Sequence, residues 1–116
     1  MDEVQGRVTI APGVLTTIVR LTALEQPGVR RLAAGPPRVR GLLTGGVSDE
    51  GIYVAVTEAG VRVELHVVAE SDMNMLRLGE TLQTQIIRAI EEMVGMPVSA
   101  VDVHIDDVAL PASRAA

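Results

Sequence analysis

A chain of 116 residues is long enough for one domain to bury about two-thirds of its unfolded surface, and the absence of cysteine excludes disulfide staples and thiolate metal sites. Apolar residues make up 47% of the chain, yet Phe and Trp are absent and there is one Tyr, so the core has to be built from Val, Leu, Ile, Met and Ala. The net charge is −5 and all ten basic residues are Arg; an acidic surface without aromatic platforms weighs against nucleic-acid binding.

The start, Met1-Asp2-Glu3, is acidic where a secretory leader would be basic. No apolar run approaches the roughly 20 residues that cross a bilayer. A cytoplasmic protein without direct membrane insertion is expected.

In chain order, Glu3 to Ile10 alternates, with Val4, Gly6, Val8 and Ile10 opposite Glu3, Gln5, Arg7 and Thr9, which predicts a half-buried strand. Pro12 suits the first turn of a helix. Val14, Ile18, Leu21 and Leu24 follow at helical spacing, and Pro27-Gly28 ends the helix near Gln26. Val29 to Leu32 is a short strand. Gly35-Pro36-Pro37 through Gly45-Gly46 reads as a mobile loop carrying Arg38 and Arg40.

Ile52 to Thr57 and Val61 to Glu70 form a hairpin turning at Glu58-Ala59-Gly60. Ile52, Val54, Val56, Val61, Val63, Leu65 and Val67 share its apolar face; Arg62, Glu64, His66 and Glu70 lie on the other. Asn74 is placed to cap a second, longer helix with the stripe Met75, Leu78, Leu82, Ile86, Ala89, Ile90 and Met93. Gly95 and Pro97 stop it. Val98 to Asp106 is the last strand, and residues 111–116 a disordered tail.

The alternation predicts a sheet covered on one face only. The fold class is therefore α+β: a two-layer sandwich of four to five mainly antiparallel strands with two amphipathic helices on one face, in a single domain over residues 1–110. Strand–helix–Pro27-Gly28-Val29 and strand–helix–Met96-Pro97-Val98 also resemble two copies of one β–α–β unit.

Chemistry-bearing motifs are sparse. Glu64, His66, Asp102, His104 and Asp106 converge if their strands are neighbours. Imidazole and carboxylate would then suit a zinc-type ion, or a His–carboxylate pair could serve as a general base. A solvated strand face with ordinary cross-strand charge pairs accounts for the same i, i+2 spacing, and it is the reading adopted. No catalytic, cofactor-binding or metal residue is assigned, and no cofactor is expected. The clusters Ser48-Asp49-Glu50 and Asp106-Asp107 lack calcium-loop spacing and read as solvated turns. Gly41 to Gly46 lacks the Gly-Lys-Ser/Thr ending of a phosphate loop, and no Ser lies in a nucleophile elbow. Met73, Met75, Met93 and Met96 read as gap fillers in a core without large aromatics.

These residues also carry a resemblance. Gly6-Arg7-Val8-Thr9-Ile10-Ala11-Pro12, then Glu25-Gln26-Pro27-Gly28-Val29, then Val61 to Val68, Leu82-Gln83, Met93 to Val98 and Val101 to Val108 resemble, in order and spacing, the bacterial alkaline shock protein, or Gls-type envelope stress response, family. The likeness covers residues 4–108. Gly13 stands where members often carry an acidic residue, and Asp102 where Asn is frequent. The resemblance implies a cytosolic, non-enzymatic protein of cell-envelope homeostasis that self-assembles and is held at the membrane by a separate small anchor protein. A protein–protein interaction module is thus expected, with Val29 to Leu32 and the Arg38/Arg40 loop as its contact residues. An open sheet edge in a chain without Lys adds an expectation of homo-oligomers. The rivals are a small metal-dependent or acid–base enzyme at His66 and His104, and an RNA-binding domain, which has fold analogy alone behind it.

Overall fold

The computed structural model describes residues 5–35 and 46–110. Helix α1 spans Pro12–Glu25 and opens with Pro at its first turn, where a missing N–H costs nothing. Strand β1 is Val29–Leu32, β2 Gly46–Asp49, β3 Ile52–Thr57 and β4 Gly60–Glu70; helix α2 is Met75–Met93, and β5 is Val98–Ala109. The Asn74 side chain accepts from the Arg77 N–H at 3.0 Å and caps α2. Gly95, at φ 80°, follows the end of α2 with its N–H on the Ile90 and Glu91 carbonyls.

Strand β4 organises the sheet. Strand β5 pairs parallel to it along nearly its whole length, from Val61↔Val98 to Glu70↔Ala109. The other edge of β4 is divided. Antiparallel β3 takes Gly60 to Leu65 and antiparallel β1 takes Val67 to Ala69. The seam falls at His66, whose N–H donates to the Gly51 carbonyl and whose C=O accepts from the Ala33 N–H. Strand β2 extends β3 antiparallel. Three antiparallel pairings and one parallel pairing thus give the expected mainly antiparallel, five-stranded sheet.

Three bulges flank β4, and their extra residues are Arg30 on β1 and Ser99 and Asp106 on β5. Each sends its side chain back to β4. Arg30 forks onto Glu70 (Nε to Oε2 2.9 Å, Nη2 to Oε1 3.1 Å), Ser99 Oγ donates to the Val61 carbonyl at 3.2 Å, and Asp106 reaches the His66 ring. Arg30's hydrogen bond, with its charge, holds the Glu70 carboxyl below the usual carboxylate range.

Both helices cover one face, with α1 over β1, β2 and β3, α2 over β5, and the two in mutual contact. Leu15, Ile18, Val19 and Ala23 of α1 and Leu78, Leu82, Ile86 and Ile90 of α2 meet Ile52, Val54, Val61, Val63, Leu65, Val67 and Val101 of the sheet. Fully burying one such aliphatic side chain stabilises the fold by about 1.5–3 kcal/mol.

Five expectations are corrected. Residues 5–10 form no strand and are exposed, Val8 at 90%. Both edges of β4 are already occupied, by β5 on one side and by β3 and β1 on the other, so this segment has no place beside the central strand. The fifth strand is instead β2, which begins at Gly46 and takes in Ser48 and Asp49, read from sequence as loop and turn; the duplicated β–α–β unit goes with the missing strand. In α1 only Ile18 of the expected stripe is buried, while Val14, Leu21 and Leu24 are exposed. Met93, expected in the α2 stripe, is also exposed, whereas Met75 and Met96 pack against the core. Positions 36–45, including Arg38 and Arg40, and the tail 111–116 lie outside the described residues.

Candidate functional site

The outer sheet face brings together most of the residues singled out from the sequence. Because β4 and β5 are neighbours, Glu64 pairs with Asp102 and His66 with His104. In a parallel ladder, paired side chains lean the same way, so the two imidazoles stack with centroids 4.5 Å apart and planes 9° from parallel. Glu64 Oε2 lies 2.9 Å from His66 Nε2 and 3.9 Å from His104 Nε2. On the far side of the His66 ring, Asp106 Oδ2 lies 2.8 Å from Nδ1. Asp102 leaves the cluster for Arg62, at 3.0 Å.

Arg62, Asp102, His104 and Asp106 keep the solvated face expected; His66 departs from it. His66 is 7% exposed, closed in by the His104 ring and by the backbone of Gly35. A Cβ at Gly35 would stand 3.0 Å from His66 Cδ2, and its φ of 70° already favours glycine. Both ring nitrogens of His66 face carboxylate oxygens. A neutral imidazole carries one N–H and one lone pair. With the proton on Nδ1 facing Asp106, the Nε2 lone pair points at a Glu64 oxygen, and the contact needs a second proton or a cation between them. Among the described residues, Glu64, His66 and His104 form a group whose donor atoms all lie within 4.8 Å of one another.

A second feature was missed from sequence. On the side of α1 away from the sheet, Ile10, Val14, Ile18 and Leu21 line an open groove with Met93 and Val94 from the end of α2. Leu21 is 57% exposed and Met93 70%. The signal was present: α1 is apolar around most of its circumference, so a single core stripe could not be chosen from spacing alone. Of the contact residues expected from sequence, Val29 and Leu32 pack against the core, Arg30 is engaged by Glu70, and Arg31 is exposed.

Comparison with known proteins decides the family. The model of the alkaline shock protein 23 family, described by its cell envelope-related function, matches residues 1–110. The chain belongs to this family. No curated protein and no solved structure matches it.

The alkaline shock family segments quoted above now have places. Glu25-Gln26-Pro27-Gly28-Val29 is the turn from α1 into β1, closed by the Val29 N–H on the Gln26 carbonyl at 3.2 Å. Met93 to Val98 is the crossover into the parallel strand, and Val101 to Val108 is most of β5. In this alkaline shock family chain, no helix among the described residues is long and apolar enough to cross a membrane.

Proposed function

We propose that this chain is a non-enzymatic protein–protein interaction module of cell-envelope homeostasis. It works in the cytoplasm, self-associates, and is held near the membrane by a separate small anchor protein. The family's envelope-related function supports the setting. The observation that carries the mode of action is the apolar surface of Val14, Leu21, Leu24 and Met93, each more than 40% exposed. Contiguous exposed apolar groups of this kind mark contact surfaces. The occupant is a second copy: groove and projecting side chains lie on the same patch, as a two-fold contact requires. RNA is disfavoured because Arg20, Arg30 and Arg62 are each engaged by a carboxylate, of Asp49, Glu70 and Asp102.

Fractionation of the native host tests the setting. Part of the protein should sediment with membranes and be released when the anchor protein is deleted. Direct binding of the purified chain to protein-free vesicles would contradict the anchor.

A further inference from the structure

We propose that Glu64, His66 and His104 hold one divalent transition-metal ion of the zinc type on the outer face of the sheet, with Asp106 fixing the His66 ring. The proposal rests on the outer-face geometry and is independent of self-association.

The distances fit. Zinc–nitrogen and zinc–oxygen bonds of about 2.0–2.2 Å in a tetrahedron place neighbouring donors about 3.3–3.5 Å apart. Here His66 Nε2 and Glu64 Oε2 are 2.9 Å apart and His104 Nε2 and Glu64 Oε2 3.9 Å, with the group within 4.8 Å. Because the two rings stack with planes 9° apart, one ion lines up with both ring nitrogens once the exposed His104 ring turns out of the stack, while His66 and Glu64 keep their places. Two nitrogens and one carboxylate favour a borderline-soft ion over magnesium or calcium, which take oxygen.

The proton inventory points the same way. With the Nδ1 proton of His66 directed at Asp106, the Nε2 lone pair and the Glu64 oxygen oppose each other at 2.9 Å. A metal ion taking the place of a second ring proton there bonds both the nitrogen and the carboxylate. A carboxylate on the second nitrogen of a ligating His is the usual outer-shell support, because it fixes tautomer and ring orientation. The bulge supplies that support: Asp106 is the extra residue on β5. The ring is further held by the Gly35 backbone and by its burial. His104 is 48% exposed at its side chain, and a tetrahedral ion held by three protein donors takes its fourth from water or another molecule.

The test uses the full chain without an affinity tag, stripped with a chelator. Zn²⁺ is titrated in competition with a chromophoric chelator, and Co²⁺ is added separately to read its ligand-field absorption. The expected result is saturation at one equivalent per chain, with a tetrahedral-type Co²⁺ spectrum. His104→Ala removes an exposed ligand, should leave the far-ultraviolet circular dichroism unchanged, and should abolish both signals. Asp106→Ala should weaken binding by about 10–100-fold, and Asp102→Asn should leave it unaltered. Absence of saturable binding in the intact chain, or equal affinity in His104→Ala, overturns the site. Light scattering on the same stripped and loaded samples reports self-association separately.

Discussion

The rings of His66 and His104 stack at 4.5 Å because the two residues are paired across a parallel ladder. One is buried between two carboxylates and the other is half exposed. In chelator, His66→Ala removes the group between Glu64 and Asp106 and should cost about 1–3 kcal/mol in urea unfolding. His104→Ala should cost no more than about 0.5 kcal/mol. Equal costs would show that His66 is not held as described.

Leu82 and Leu21 are the same residue type in opposite settings, fully buried and 57% exposed. Leu82→Ala should destabilise by about 2–5 kcal/mol. Leu82→Asp should abolish the cooperative transition, since a buried carboxylate there has no partner. Thermal unfolding reads both, and an unchanged melting curve for Leu82→Asp would show that this stripe is not core.

Leu21→Asp should change chain stability by no more than about 0.5 kcal/mol while lowering the assembled mass. Light scattering over a dilution series checks this. A wild-type mass near 12.3 kDa at every concentration would remove self-assembly as a property of this chain.

The Arg30–Glu70 pair ties β1 to β4 and gives a pH signature. The Glu70 carboxyl lies below its ordinary value in the folded chain. Its contribution is therefore present above the unfolded carboxylate range, about pH 4.3, and is lost as pH falls through the lower folded value. The stability difference between wild type and Glu70→Gln should be constant near neutrality and vanish in acid. Both side chains are solvent-accessible, so added salt should shrink the difference.

Gly60 has φ 128°, and a Cβ there would stand 2.6 Å from the Pro97 carbonyl oxygen, the same oxygen that accepts from the Val61 N–H at 2.8 Å. Backbone cannot yield as a flexible side chain would. Gly60→Ala should cost about 1–3 kcal/mol in denaturant. A neutral substitution would show that the β4–β5 start has more room than this.

Sequence reading succeeded where one signal dominated. The hairpin Ile52–Glu70 alternates over most of its length, although Val56, expected on the apolar face, is exposed and Ala55 is buried; α2 has one apolar stripe between Asn74 and Gly95, and β5 repeats the period of two. It failed where two signals coincided. Residues 5–10 alternate as a strand would, but the sheet has no free place for them beside β4. α1 offered two overlapping apolar stripes, and only packing against β1 and β3 selects Leu15, Val19 and Ala23. Glu64, His66, His104 and Asp106 were legible as a set on one face. The burial of His66 was not, because it depends on Gly35 and on a bulge at Asp106, and no local pattern announces either.

The bulges at Ser99 and Asp106 also settle a question of phase. Val61, Val63, Leu65 and Val67 on one strand and Val101, Val103 and Ile105 on the other are close to interchangeable. Sliding β5 along β4 by two residues would keep every apolar side chain on the core face, so hydrophobicity alone cannot select among the possible alignments. The extra residues break that degeneracy. Ser99 latches to the Val61 carbonyl at one end and Asp106 to His66 at the other, and a slipped pairing would lose both latches at once. The two histidines face each other because polar side chains act as vernier marks on an otherwise featureless apolar rule.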